Sequence, residues 1–269
     1  MTTGRVVLVG AGPGAADLLT LRAARLLAQA DIVFHDALVN PEILALAPQA
    51  EKVVVGKRCG RHSTAQAFIN KRLVDAARKH RVVVRLKGGD PMLFGRAQEE
   101  IDALAAAGIG VEVVPGITAA LAAAADAGVS LTRRGASRNV AFATPRVGAG
   151  EAASDWAAPL AAADTGAIYM GAGEAAAIAA ALIERGKPAS LPVVAVENAS
   201  LPGSRRWVTT LGELPRLAGE AFDGPVVLLL GEVFADAAAL PAPAAPPPLE
   251  RVAAPLPERV APQLRRAAM

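Results

Sequence analysis

Four stretches of this chain hold residue types and spacings that can do chemistry. The first, RVVLVGAGPG (5–14), is an apolar run that breaks into alternating glycines. Gly10, Gly12 and Ala15 satisfy the loose pattern G-x-G-x-x-G/A, and Asp36 stands where a ribose-binding acid belongs, so a dinucleotide is the first ligand to consider. The others are GKRCGRHS (56–63), RLKGGDPMLFGRAQEE (85–100) and VVPGITAA (113–120). In the second of these, Gly88 and Gly89 let backbone approach a ligand closely. Asp90, held extended by the following Pro91, offers a carboxylate to a cation or a hydroxyl.

The elements that must position these loops alternate. Strands are expected at 5–10, 31–36, 51–56, 81–90 and 111–116, with helices at 20–30, 40–47, 65–80 and 95–108 between them. Thr20 is the expected N-cap of the first helix, and Pro41 opens the second. Repeated βα units imply a largely parallel sheet, and the ligand-type loops then lie at the carboxyl ends of its strands, where open α/β sheets bind ligands. The pattern restarts after Gly116, with a helix at 117–128, strands at 138–144, 192–198 and 224–233, a strand and loop at 165–173, and a helix at 174–186. The expected organisation is an α/β domain over 1–116, a second α/β domain over 117–235, and a disordered Pro/Ala-rich tail over 236–269.

This layout argues against the dinucleotide. In a dinucleotide fold the helix begins inside the glycine motif and its N-terminus holds the pyrophosphate. Here Pro13 and Gly14 follow Gly12, and helical periodicity starts only at Thr20.

Composition narrows the classes further. The 269 residues are 53% hydrophobic and 3% aromatic, so the core is built from Ala, Val, Leu and Ile. Three His and one Cys, scattered, suit neither a zinc site nor a disulfide within the chain, and a reducing, cytoplasmic compartment is expected. A net charge of +3 with no aromatic-interleaved basic patch argues against a nucleic-acid partner. No secretory leader is read at the N-terminus, and no uncharged run reaches the length of a membrane span.

In order and spacing, the segments VGAGPG…LLTL, HDALV, GKR.G.HS, RLKGGDP..FGR..EE, VPGITAA, YMG and VEN resemble the tetrapyrrole methylase family. The resemblance runs from residue 5 to about 235, and GKR.G.HS resembles the branch that acts on uroporphyrinogen III. It implies two α/β domains with S-adenosyl-methionine in the cleft between them, and a homodimer. The implied reaction is C-methylation of uroporphyrinogen III at C2 and C7 to precorrin-2, for siroheme- or cobalamin-type synthesis. A stand-alone methylase is expected, rather than one fused to a dehydrogenase/ferrochelatase segment.

By that resemblance, the cofactor contacts fall on Pro13, Gly88, Gly89, Asp90, Leu93, Thr118, Ala119, Met170 and Ala199. Ala199 stands where the family usually has Gly, and a backbone contact survives the change if its φ is negative. Asp36 is the implied base, Lys57 the implied acid and Arg96 a further catalytic candidate on the substrate side. Arg58 joins the substrate-binding candidates. Each has a plainer reading. Asp36 would cap a turn, Lys57 and Arg58 would be solvated, and Arg96 would pair with Glu99 or Glu100 at helical spacing. Met170 would be a core residue, Gly88–Gly89 a tight turn, His62 a loop hydrogen-bonder and Cys59 a small filler.

Two departures touch the substrate side. The family's Thr-His-Arg is Thr132-Arg133-Arg134 here, and its Thr-Gly-His is Thr144-Pro145-Arg146. Uroporphyrinogen III is a polycarboxylate, so Arg133, Arg134 and Arg146 are expected to line its site as fixed cations. The alternatives are a methylase of a later corrin precursor or a non-methylating nucleotide-binding module.

Overall fold

The structure is a computed structural model that describes residues 4–55, 62–148, 152 and 154–240. Two five-stranded sheets carry the architecture. The first contains β1 (Arg5–Gly10), β2 (Ile32–His35), β3 (Glu51–Val54), β4 (Val82–Lys87) and β5 (Val111–Val114), in the order β3-β2-β4-β1-β5. Every pairing in it is parallel. Helices α1 (Leu21–Leu27), α2 (Pro41–Leu44), α3 (His62–Ala77) and α4 (Ala97–Ala106) make the crossovers.

Strand alternation sorts the side chains between two cores. Val7, Val9, Val84 and Leu86 pack with Leu26, Leu27 and Ile43 of α1 and α2. Val6, Phe34 and Val83 pack with Ile69, Leu73 and Leu104 of α3 and α4. The same alternation turns Arg85 and Lys87 toward α3 and α4, beneath the protein surface. From β1 the chain runs toward β2, and from β4 it crosses to β5 on the other side of β1. The loops after β1 and β4 therefore part at a topological switch point, where such sheets form a ligand crevice. Helix α1 starts at Leu21, with the Thr20 hydroxyl accepting from Ala23 N–H at 3.2 Å.

The second sheet is mixed. It holds β6 (Val140–Ala143), β7 (Thr165–Tyr169), β8 (Pro192–Glu197), β9 (Arg205–Thr210) and β10 (Val226–Gly231), in the order β6-β7-β10-β8-β9. Only β6–β7 is parallel. Helices α5 (Ala119–Ala127), α6 (Ala157–Ala162) and α7 (Ala175–Glu184) cover it. One face packs on α5, whose buried residues are all alanine, and the other packs on α6 and α7. Gly128 ends α5 at φ +70°.

The packed chain continues past Ala235 to Leu240. Ala237 is buried against the α5 layer and Arg206 Nη2 donates to Leu240 O at 2.8 Å. The segment expected to be a tail from 236 is thus folded over its first residues, because alanine is small enough to fit beneath α5. The remainder, 241–269, lies outside the described residues. Among the described residues, no helix is long and apolar enough to cross a membrane.

Candidate active site

The loops after β1, β4 and β5 meet almost without side chains. Gly12 and Gly89 form an antiparallel bridge, Gly89 N–H to Gly12 O at 2.7 Å and Gly12 N–H to Gly89 O at 3.2 Å. A Cβ on Gly10 would stand 2.6 Å from Gly116 Cα, so this crossing admits only glycine. Gly88 differs, because a Cβ there would meet no protein atom within 4 Å. Its backbone borders open space, as a ligand-facing residue must. Asp90 braces the loops: Oδ1 accepts from Met92 N–H at 2.8 Å and Oδ2 from Gly116 N–H at 3.0 Å. The carboxylate expected to meet a ligand therefore ties the β4 loop to the β5 loop. Leu93 follows it, half-buried, and Pro13 lies half-buried in the first loop.

The second sheet brings side chains to the same place. Thr118 precedes α5, but its hydroxyl does not cap the helix; it shares a hydrogen bond at 2.7 Å with the Tyr169 hydroxyl. The Tyr169 oxygen also accepts from Ala120 N–H at 3.1 Å, so a tyrosine from β7 caps α5. Burial pushes the Tyr169 pKa up. The next residue, Met170, is exposed and left-handed at φ +56°. Asn198 and Ser200 are also left-handed, at +51° and +73°, whereas Ala199 between them is not. Replacing glycine by alanine at 199 thus carries no backbone strain. Two contacts join the halves here: Ala15 N–H donates to Ser200 Oγ at 3.1 Å, and Leu201 packs where a Cβ on Gly14 would stand. Asp126 holds the turn by accepting from Ser200 N–H at 2.8 Å and from the Ser204 hydroxyl at 2.7 Å.

Beside the glycine crossing lies a buried charge network. Arg85 Nη2 donates to Asp36 Oδ1 at 2.6 Å, and its Nε donates to Glu100 Oε1 at 3.1 Å. Lys87 Nζ reaches the same Glu100 oxygen at 3.1 Å, and Gln66 Nε2 reaches it at 3.3 Å. Arg85, Lys87 and Glu100 are buried, while the Asp36 side chain is 33% exposed. Taking such charges out of water is costly, and only close pairing among them offsets it. Burial, and then the Arg85 guanidinium, push the Lys87 pKa down against the opposing pull of Glu100. Glu100 Oε2 is buried with no hydrogen-bond partner among the described residues. The Asp36 side chain thus meets a guanidinium, while its backbone oxygen closes the following turn by accepting from Val39 N–H at 3.2 Å. The network's other members were hidden in a motif whose charges look solvent-facing. The signal was there in Arg85 and Lys87, which occupy alternate positions of an otherwise apolar strand.

Arg96 sits at φ +55° before α4 and holds Glu99 with both ends of its guanidinium, at 2.6 and 2.8 Å. Lys57, Arg58 and Cys59 lie outside the described residues, and the His62 side chain does also. Arg133 and Arg134 are exposed in a turn closed by Arg133 N–H to Ser137 O at 3.0 Å, before β6. Arg146 is exposed beyond the other end of β6. Strand β6 thus lies between the two sets, with Arg133 and Arg134 before it and Arg146 after it.

Comparison with known proteins places this geometry. The model of the tetrapyrrole (corrin/porphyrin) methylases matches residues 5–215. The chain is 46% identical over 240 residues to a uroporphyrinogen-III C-methyltransferase of Pseudomonas aeruginosa, covering 89% of this chain and 98% of that one. It is 47% identical over 231 residues to a siroheme synthase of Zymomonas mobilis, covering 86% of this chain and 49% of that one, so it spans about half the length of the siroheme synthases it matches. The uroporphyrin-III C-methyl transferase of Thermus thermophilus, solved with S-adenosyl homocysteine, superposes with a TM-score of 0.76 at 43% identity, over 86% of this chain and 99% of that one. A cobalt precorrin-4 methyltransferase gives a TM-score of 0.74 at 28% identity, over 85% of this chain and 95% of that one. This chain belongs to the tetrapyrrole methylase family.

Proposed function

We propose that this chain methylates uroporphyrinogen III at C2 and C7, with S-adenosyl-methionine as methyl donor, giving precorrin-2. The observation that carries the reading is the match, along nearly its whole length, to a relative named for that reaction. The site's chemistry agrees with it. Pro13, Gly88, Gly89, Asp90, Leu93, Thr118, Ala119, Met170 and Ala199 would hold the cofactor. The cradle fits such a group, since Gly88 faces open space and Met170 is exposed beside the Tyr169-capped helix.

When bound, S-adenosyl-methionine supplies an electrophilic methyl group on a sulfonium. The chain's own task is to orient an electron-rich pyrrole carbon toward it, which lowers the barrier by several kcal/mol. A proton must then leave the methylated ring. Asp36, partly exposed and aimed by Arg85, is the base in this reading, with Lys57 the acid and Arg96 acting on the substrate side. Arg58, Arg133, Arg134 and Arg146 would meet the substrate's carboxylates. The working form in this reading is a cytoplasmic homodimer, with no nucleic-acid or membrane partner.

Incubation of the protein with uroporphyrinogen III and methyl-labelled cofactor tests the proposal. Two labelled methyl groups per macrocycle are expected, with S-adenosyl-homocysteine released. Transfer only to a precursor that already carries methyl groups, or no transfer, overturns it.

A further inference from the structure

Asp36 is the outer end of a line of contacts that runs into the protein. Its Oδ1 accepts from Arg85 Nη2 at 2.6 Å, and its Oδ2 accepts no hydrogen bond among the described residues. The guanidinium is held in turn at its other two nitrogens. Nη1 donates to Leu86 O at 3.1 Å, and Nε donates to Glu100 Oε1 at 3.1 Å. Every nitrogen is committed, so the plane of the guanidinium is fixed. Glu100, on α4, is wholly buried. Its Oε1 gathers Arg85 and Lys87 of β4 and Gln66 of α3, whereas Oε2 has no partner among the described residues. Gly95 lets the β4–α4 loop close over Lys87, since a Cβ there would stand 3.1 Å from Lys87 Cε and 2.6 Å from Pro91 O.

Two features separate this arrangement from simple neutralisation. An arginine paired with one carboxylate often grips it with two parallel N–H groups. Arg85 instead divides itself, with Nε on Glu100 and Nη2 on Asp36. Burying such charges is also a poor source of stability, because apolar side chains of similar volume often do as well or better. A divided and fully committed guanidinium supplies direction instead.

We propose that Glu100, which has no exposed surface, is a positioning residue for the base. It fixes Arg85, and Arg85 ties Asp36 Oδ1 so that Oδ2 is the oxygen left to take the proton from the methylated ring. The inference rests on the assignment of Asp36 as base under Proposed function. In that step the ring C–H bond breaks, its electron pair returns to the π system, and an O–H bond forms at Oδ2.

A double-mutant cycle tests it, with kcat and KM measured on uroporphyrinogen III at saturating cofactor. Arg85→Lys keeps the charge but cannot make the divided contact. Glu100→Gln keeps the shape but loses the charge that draws Arg85 and Lys87 to one oxygen. Each should lower kcat about tenfold to a hundredfold, the scale of a misplacement of about 1 Å. The substrate KM and the affinity for S-adenosyl-homocysteine should stay within about twofold of wild type. In an Asp36→Asn background the same changes should lower kcat by less than about twofold further, because residues that act through Asp36 then have nothing to position. If Arg85→Lys does not fold, the near-isosteric Glu100→Gln carries the cycle alone. Losses that multiply with that of Asp36→Asn, a KM that moves in step with kcat, or a wild-type kcat in both variants overturns the positioning role alone. An inactive wild type strikes the proposed function, and a fully active Asp36→Asn enzyme strikes the base assignment; either result takes the positioning role with it.

Discussion

Where the loops after β1 and β4 cross, the parallel sheet meets the cleft as bare backbone, with Gly12 and Gly89 left-handed at φ +70° and +64° and bonded to each other. Loops leaving the mixed sheet hold the same region of backbone space with Met170, Asn198 and Ser200. Charge divides likewise. The parallel sheet buries Arg85 and Lys87 against Glu100, whereas the arginines of the second half at 133, 134 and 146 stand in solvent. At the crossing of the β1 and β4 loops the first half presents shape over a fixed internal field, and opposite it the second half presents side chains. The division follows from topology. Parallel strands deliver several loops to one edge, where crowding selects glycine. The mixed sheet delivers fewer loops there, and each has room for a side chain.

The largest effect is expected on the base. Asp36→Asn should keep S-adenosyl-homocysteine affinity and lower turnover by about 10²–10⁴, the usual contribution of a positioned base. Retained turnover in a methyl-transfer assay would reassign Asp36 to holding Arg85. Next comes the buried field. Glu100→Ala leaves Arg85 and Lys87 buried beside each other without their shared partner and should lower stability by about 3–5 kcal/mol, measured by denaturant unfolding. A loss below about 1 kcal/mol would mean that water reaches the network.

The glycines sharpen the comparison. Gly88→Ala should fold like wild type, since its Cβ meets no protein atom within 4 Å, yet weaken S-adenosyl-homocysteine binding in calorimetry. Gly89→Val should weaken both, because valine at φ +64° is strained whatever space it has. Equal cofactor affinity in both variants removes the glycine loop from the site. Across the cleft the sign reverses. Met170→Gly should raise stability by up to about 1 kcal/mol, because glycine accepts the left-handed backbone without strain, while cofactor binding weakens. A destabilised Met170→Gly with normal binding would make Met170 a packing residue. The smallest effect is expected for Arg133→Ala with Arg146→Ala. The substrate KM should rise a few-fold at low salt, with the rise fading as salt screens exposed charge. An unchanged KM at low salt would leave these arginines solvated.

The parts of this molecule legible from sequence are those in which local pattern and tertiary fate agree. RVVLVG and RVVVRLK read as buried strands because they are buried on both faces, and Thr20, Pro41 and Gly128 mark helix ends by local chemistry. Helix α6 escapes notice because AAPLAA is short, uniformly apolar and interrupted by Pro159. Strand β9 does so because RRWVTT is an edge strand whose charged start resembles a loop. The site motifs could be located without the structure, but their internal contacts could not. Asp90 and Gly116 are 26 residues apart, and Thr118 and Tyr169 are 51 apart. No local signal says that an aspartate braces a second loop or that a tyrosine caps a distant helix.

Alanine gives helix α5 a property that shape alone does not convey. Its buried positions, Ala120, Ala122, Ala123, Ala124 and Ala127, have no rotamers to lose when the helix docks. The platform beneath Thr118 and Ala119 is therefore rigid at almost no cost in side-chain entropy. That rigidity leaves no slack. A flexible residue such as methionine could adjust to a shifted sheet, but a layer of methyl groups transmits any displacement of β8 or β10 straight to the end of the helix that faces the cleft.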